Sequence, residues 1–444
     1  MFDNKICVLY TLRDLFSIRQ KGNIQMAEKK VFDILKERGF IYQSTNLEQV
    51  EKLVNGSKPI TFYLGIDPTA DSLHIGHFFA LRMFRHLQEA GHKGILVIGG
   101  ATALVGDPSG KSNMRQMLTK EQVAKNVNEV KEIAKRFIIT EGENAAKVYD
   151  NSSWMRPYDY IDFLRDVGIH FNVNTMLTAD LYANRIKEGG LTFLEMGYML
   201  MQAYDFAHLK DSDNCVLQIG GSDQWGNIVA GTRLNRKMHN IGDEVENSAE
   251  DIYGLTCPLL LTKDGRKMGK TEKGTLWIAR EKTAPFDFYQ YFYNIEDEST
   301  DLILKVFTDV DVETIDDLCK NDIIKAKKLM AYEVTKLVHG KEEADKVVEA
   351  VNALFGKGSD NANVPSVEIE KSFVGDGVSL VDLAVYTKLL PSKSETRRMI
   401  EQNAISLNDK KITAVDYVVT KDDFAQGYAM LQKGKKTFLK IILK

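Results

Sequence analysis

The stretch ITFYLGIDPTADSLHIGHFFALRMFRHLQEAGHKGILVIGG, residues 60–100, decides the fold. It opens on ITFYLGI (60–66) and closes on GILVIGG (94–100), two short apolar runs punctuated by glycine. Between them, apolar residues recur every three to four positions through LHIGHFFALRMFRHLQEAG and stop at Gly91. Short runs rich in β-branched and aromatic residues predict buried strands, and the three-to-four period predicts a helix with one face in a core. Strand, helix and strand in this order form the unit of a parallel sheet with right-handed crossovers. CVLQIGG (215–221) reads as another such strand, followed by a helical pattern from Trp225. The chain is therefore α/β, with a Rossmann-like parallel-sheet domain over 26–276. Ligands of such sheets gather at the carboxyl ends of strands, which directs attention to the loops after Ile66, Gly100 and Gly221.

Downstream the pattern changes. FDFYQYFYNI, LILKVF, AKKLMAYEVTKLVHG and EEADKVVEAVNALF all have helical period, so an α-helical domain is expected over 277–356. GKGSDNANVP (356–365) reads as a hinge, and 357–378 as a linker. Residues 379–444 return to mixed structure, a small α+β domain. At the other end, residues 1–25 mix charges among apolar positions without a small-residue cleavage site, which argues against a secretory signal. MAEKKVFDILKERG from Met26 reads as a natural helix start, leaving 1–25 as either a dispensable extension or a short helix.

A length of 444 residues calls for more than one core. Four scattered cysteines without a CxxC pair argue against a disulfide framework or cysteine zinc site and suit a reducing cytoplasm. No apolar run reaches the roughly 18–20 residues needed to cross a bilayer, so no membrane partner is expected. The net charge of −4 hides an asymmetry: residues 388–444 hold 12 Lys and Arg against 6 Asp and Glu. A basic tail on an acidic body suggests a phosphate-bearing partner, or else a solvated face.

Two constellations carry chemistry. In YLGIDPTADSLHIGH (63–77), His74 and His77 share one face of a helix start. Unpaired N–H groups and the positive dipole end there suit a phosphate, and Gly76 permits close approach. A pair of surface histidines would give the same spacing, and a zinc site lacks a third ligand nearby. The second, GRKMGKTEKGT (265–275), bundles Lys267, Lys270, Thr271 and Lys273 between glycines, as a turn able to close over a polyphosphate. Alone it is a basic turn; the two together are more specific. A third segment, GILVIGGATALVGDPSGKS, has three residues between Gly106 and Gly110 where a P-loop needs four. Lys111 and Arg115 there still suit a phosphate. Tyr198, Gln202 and Asp205 lie at i, i+4 and i+7, on one helix face that meets either a ligand or water.

HIGH (74–77) with KMGKT (267–271) resembles the two signatures of class I aminoacyl-tRNA synthetases, the second usually written KMSKS. Gly269 stands where the middle serine is usual, and Thr271 keeps the final hydroxyl. YLGIDPTADSLHIGH, GGATALVGDPSGK, YMLMQAYDF (198–206) and LQIGGSDQWGNI (217–228) narrow the resemblance to the bacterial tyrosyl-tRNA synthetase family, from about Met26 to Lys444.

That resemblance implies a homodimer acting on L-tyrosine, ATP with Mg²⁺, and tRNA(Tyr). By similarity Tyr63 and Asp205 would read the substrate hydroxyl, and Asp107, Tyr198 and Gln202 the ammonium. Gln218 and Gln224 would line the pocket, Asp223 would take the adenylate ribose, and Asp67 and Thr69 would sit beside the nucleotide with Gly65 beneath it. Leu64 replaces a residue that often touches that ribose. His74, His77, Thr69, Lys111, Arg115, Lys267, Lys270 and Thr271 would act on the phosphates. The tail resembles a small ribosomal-protein (S-four-like) RNA-binding module, offering Lys393, Arg397 and Arg398 on one helix, with Lys433, Lys435 and Lys436 on a terminal hairpin. The rivals are a tryptophanyl synthetase, a cytidylyltransferase-like enzyme and a catalytically idle RNA-binding scaffold.

Overall fold

The computed structural model describes residues 29–108, 117–188, 190–239, 251–263, 265–271, 274–355, 366–408, 410–425, 427–434 and 437–444. The extension 1–25, Lys111, Arg115, the hinge 356–365, Lys273, Lys435 and Lys436 lie outside them, as do the side chains of Lys270 and Thr271. The described residues form two compact units, one running from 29 to 284 with 291–334, the other 285–290 with 335–444.

The first unit is built on a six-stranded sheet: β1 (Gln43–Ser44), β2 (Thr61–Ile66), β3 (Lys93–Ile98), β4 (Lys147–Asp150), β5 (Cys215–Gly221) and β6 (Tyr253–Cys257). The order is β1-β6-β5-β2-β3-β4, parallel throughout except for the short edge strand β1. Such strands are covered on both faces, which is why β2, β3 and β5 read as near-continuous apolar runs. From β2 the chain builds outward through β3 and β4, then returns to place β5 on the other side of β2. The loops after β2 and β5 therefore part in opposite directions. The crevice between them is the switch point at which this architecture binds ligands.

Two helices deliver side chains to that crevice, α1 (Ile75–Glu89) and α2 (Phe193–Asp213), and a third, α3 (Trp225–Met238), follows the turn after β5. The start of α2 is fixed by Thr192, which accepts from the Glu195 N–H, while the Glu195 carboxylate accepts from the Thr192 N–H. This reciprocal cap satisfies two of the helix's unpaired donors. Asn214, in the left-handed region at φ 51°, then ends α2 and turns the chain directly into β5.

Buried charge fixes α1 from behind. Arg82 pairs with Asp309, and Arg38 donates to the carbonyls of Lys305 (2.7 Å), Thr308 (2.8 Å) and Val310 (2.8 Å). Burial would raise the Asp309 carboxyl, but Arg82 outweighs it and holds the group well below the usual range. Asp309→Ala leaves Arg82 charged and uncompensated. It is expected to lower unfolding free energy by about 3–5 kcal/mol in urea titration.

Helices Asp297–Phe307 and Val312–Asn321 belong to the first unit, and Lys341–Phe355 to the second. The second unit also holds a five-stranded sheet, ordered Lys410–Lys411, Ile405–Leu407, Tyr428–Lys433, Thr437–Leu443 and Ser366–Ile369. The last strand runs parallel to Thr437–Leu443, so the folded tail takes in residues from 366 onward. Its core includes Leu380, Leu383, Ile400, Ile405, Leu431 and Ile441.

Candidate active site

β2 carries Tyr63 and Gly65 to its carboxyl end, β5 carries Gln218, and both strands open into a cavity of about 470 Å³. Asp67, Thr69, His74, Gly76 and His77 line it from the loop after β2 and the start of α1. Asp107 enters from the segment after β3. Tyr198, Gln202 and Asp205 enter from α2, Asp223 and Gln224 from the turn after β5, and Lys267 from the glycine-flanked turn. The i, i+4, i+7 face of α2 thus meets the cavity rather than bulk solvent.

One end of the cavity is polar and dry. Asp205 is buried, accepting from Trp154 Nε1 (2.7 Å) and from Asn151 Nδ2 (3.0 Å). Burial pushes its carboxyl up to about 7; the Asn151 and Trp154 bonds oppose this, and the nearby Asp67 charge adds to it. Burial, followed by the Asp205 and Cys215 charges, also raises the Tyr63 hydroxyl well above its ordinary range. Among the described residues, three buried atoms of this cavity's lining lack a partner: the Tyr63 hydroxyl, Gln202 Oε1 and Gln218 Oε1. Each such group costs about 1–3 kcal/mol when left unsatisfied, so three together mark a place shaped for a polar ligand.

Asn151 joins this end to the rest. Besides Asp205 it donates to Thr102 Oγ1 (3.1 Å), and its carbonyl accepts from the Ala101 N–H (2.8 Å). The Thr102 hydroxyl donates to Asp67 Oδ1 (2.7 Å), and the Tyr198 hydroxyl donates to Asp67 Oδ2 (2.9 Å). Asp67, expected beside a nucleotide, therefore also fixes Tyr198. Gln224 donates to Asp107 Oδ2 (2.7 Å) and accepts from Asn227 (3.2 Å). Asn151, Trp154 and Thr102 are missed by the sequence reading. The signal available for Thr102 was its position just past β3, whereas the short, half-polar strand before Asn151 and Trp154 left none.

At the other end, two imidazoles cap α1. His74 Nδ1 accepts from the N–H of Gly76 (3.1 Å) and of His77 (3.4 Å), and His77 Nδ1 accepts from the His74 N–H (3.4 Å). The rings stack 3.8 Å apart at 12°. This departs from the expected seat of open backbone N–H groups, because the His74 ring already accepts two of them. With Nδ1 accepting, a neutral ring carries its proton on Nε2, which makes it a donor. Gly76, which lines the cavity, also makes room for the His74 ring, since a Cβ there would lie 3.0 Å from it. At Gly65 a Cβ would meet nothing within 4 Å, which leaves the floor of the cavity open.

The lysine turn adjoins this helix start despite its distance in sequence. The Ile278 N–H donates to the Leu73 carbonyl (2.8 Å), and His74 and Trp277 form an antiparallel bridge. Lys267 Nζ lies 3.0 Å from Asp223 Oδ2. Gly269 has φ +82°, and a Cβ there would sit 2.5 Å from Ile75 Cγ2, at the first turn of α1. The missing serine is thus a steric requirement rather than one lost contact.

In the second unit, helix Lys393–Glu401 buries Thr396 and Ile400 and exposes Lys393, Arg397 and Arg398 on its other side. Lys393 pairs with Asp382 (2.6 Å), and Lys433 lies 3.8 Å from Glu395. No described helix is long and apolar enough to cross a membrane.

Comparison with known proteins bears on both units. Residues 55–356 match the family model for class I tRNA synthetases (W and Y), and residues 358–441 match that of the tyrosine–tRNA ligase SYY-like C-terminal domain. The tyrosine–tRNA ligase of Clostridium tetani is 47% identical over 416 residues, 93% of this chain and 99% of that protein. That of Acetivibrio thermocellus is 46% identical with the same coverage. Among solved structures, a C-terminally truncated mitochondrial tyrosyl-tRNA synthetase of Aspergillus nidulans superposes with a TM-score of 0.64 at 26% identity, covering 78% of this chain and 100% of that one.

Proposed function

Because the chain belongs to the tyrosine–tRNA ligase family of class I aminoacyl-tRNA synthetases, we propose that its cavity binds tyrosine and ATP side by side, makes tyrosyl-adenylate, and passes tyrosine to the 3′ end of tRNA(Tyr). The observation that carries this reading is the dry end of the cavity. The unpartnered Tyr63 hydroxyl and the Asp205 carboxylate offer a phenol hydroxyl what a phenylalanine ring would leave unpaired. Gln202 and Gln218 supply further acceptors, and Asp107, Tyr198 and Gln202 suit the ammonium.

The tyrosine carboxylate is already ionised, so the first step needs no side-chain base. One carboxylate oxygen forms the bond to the α-phosphorus as the bond to pyrophosphate breaks, and catalysis rests on positioning and on stabilising the spreading charge. His74 and His77 donate from Nε2, and Lys267 adds a cation from the turn. Lys111, Arg115, Lys270, Thr271 and Thr69 complete the phosphate set, and Asp223 takes the ribose once Lys267 leaves it. Among the described residues no group of three His, Cys, Asp or Glu gathers as a metal site, so Mg²⁺ would be carried by the ATP phosphates.

Pyrophosphate exchange into ATP, run with each of the twenty amino acids, tests the assignment. Tyrosine alone should support it; exchange with tryptophan, or with none, removes the reading. Gly269→Ser, which writes in the usual serine, is expected to lower exchange turnover more than ~10-fold, since a positive φ costs about 1–2 kcal/mol before the clash with Ile75 is counted.

Asp205 also sets a pH dependence. Its folded value lies above the ordinary 3.8, so folding takes up a proton in the window from 3.8 to about 7, and this group's contribution to stability falls as pH rises through it. Tyrosine binding has the opposite sign, because a hydroxyl donor needs the carboxylate. The tyrosine KM should climb about tenfold per unit as pH drops below 7. Asp205→Asn, weaker throughout, should lose that slope.

The surface between residues 160 and 194 carries large exposed apolar side chains, including Ile161 at 59%, Ile169 at 76% and Phe193 at 73%. Large apolar side chains exposed in number along one segment support the homodimer reading. Sedimentation as a monomer at micromolar concentration would remove it.

A further inference from the structure

The lysine turn is held at one peptide unit more firmly than its composition suggests. The Gly269 carbonyl accepts from the Leu276 N–H (2.6 Å), closing the turn on itself. The Gly269 N–H points the other way and donates to the hydroxyl of Tyr291, at 2.8 Å. On its third side Gly269 packs against Ile75, the residue after His74. There is no room at this position for a side chain, so the backbone groups are the handles by which the turn can be gripped. Two residues upstream, Lys267 reaches Asp223 inside the cavity.

Tyr291 is partly buried at the end of helix Pro285–Tyr293, with its ring edge-on to Phe292 (5.3 Å, 85°). Phe292 is in turn edge-on to Phe307 (6.3 Å, 76°). The hydroxyl is therefore presented from a packed aromatic base rather than from a free surface side chain. Burial raises its pKa, so the group is a neutral hydroxyl that accepts the Gly269 N–H through an oxygen lone pair.

We propose that Tyr291 is a positioning residue for the phosphate chemistry: by accepting the Gly269 N–H, its hydroxyl holds the turn so that Lys267 points into the cavity. The proposal rests on the functional reading above and adds to it the element that orders the turn. A turn held in its competent geometry a smaller fraction of the time lowers turnover by that fraction. It leaves the tyrosine end, built from β2, β5 and α2, unchanged. Tyr291 therefore acts on the rate of adenylate formation and not on amino-acid affinity.

The test uses the full chain and Tyr291→Phe, which removes one oxygen and keeps the ring. Pyrophosphate exchange gives kcat and the KM values for tyrosine and ATP, and hydrogen exchange followed on a peptide spanning 265–276 reports the Gly269 amide. The expected result is a fall in kcat of about tenfold, a tyrosine KM within about twofold of wild type, and faster exchange of the Gly269 amide. Unchanged kcat, or a changed tyrosine KM with kcat intact, overturns the proposal. So does a Gly269 amide that already exchanges at the solvent rate in the wild-type chain, an outcome that needs no variant and does not depend on the variant's folding. A wild-type chain with a protected Gly269 amide but no exchange activity with any amino acid would sink the functional reading instead, and the two failures are thereby distinguished.

Discussion

Removing the folded tail, residues 366–444, is expected to leave tyrosine-dependent pyrophosphate exchange within about twofold of the full chain. Charging of tRNA should fall by ~10³ or more. The cut follows the sheet: Ser366–Ile369 pairs with Thr437–Leu443, so a cut at 379 would leave an orphaned strand behind. Every cavity-lining residue lies at or before Trp277, so adenylate chemistry is not touched. The tail instead presents Lys393, Arg397 and Arg398 from one helix whose other face is buried. Backbone contacts of this type supply much of the affinity for a nucleic acid, and losing several costs orders of magnitude at moderate salt. Charging at the full rate by the shortened chain would take the tail out of the mechanism.

Lys267→Ala should lower the rate of adenylate formation by ~10²–10³, the range seen when one preorganised donor to a developing charge is removed. Tyrosine affinity, measured separately by equilibrium dialysis, should stay within about twofold. The asymmetry follows from place. Lys267 enters from the turn beside α1 and pairs with Asp223, whereas Tyr63, Asp205, Gln202 and Gln218 come from β2, α2 and β5. In this structure Lys267 rests on Asp223 at 3.0 Å, and the ribose contact proposed for Asp223 requires the two to part. Alanine removes that competition, which predicts an ATP KM that changes little while kcat collapses. A fall in tyrosine affinity alone would give the turn a different task.

The sheet and the first helix were legible because buried parallel strands are apolar along their whole length and α1 repeats at helical period. β4 was not, since KVYD is short and half polar. With it went Asn151 and Trp154, the two donors that hold Asp205. His74 and His77 could be placed on one face from spacing alone. That they would cap the helix with their own rings, and so remove the open N–H groups, required the ring positions. Gly269 reads in sequence as a serine lost, and only the 2.5 Å approach to Ile75 shows that no side chain fits. Tyr291 lies in FDFYQYFYNI, which reads as helical by period, and nothing local reveals that its oxygen meets an amide 22 positions earlier. Lys393, Arg397 and Arg398 were legible by spacing, and they do share the exposed side of one helix.

A crystal structure of the full chain with tyrosine bound bears most directly on the central claim, that the crevice beside β2 is closed at one end by a pair of groups reading a phenol hydroxyl. The phenol oxygen is predicted within about 3 Å, ordinary hydrogen-bond reach, of both the Tyr63 hydroxyl and the Asp205 carboxylate, with the ammonium among Asp107, Tyr198 and Gln202. A ring bound elsewhere, or one reversed so that its hydroxyl faces His74 and His77, would contradict the account.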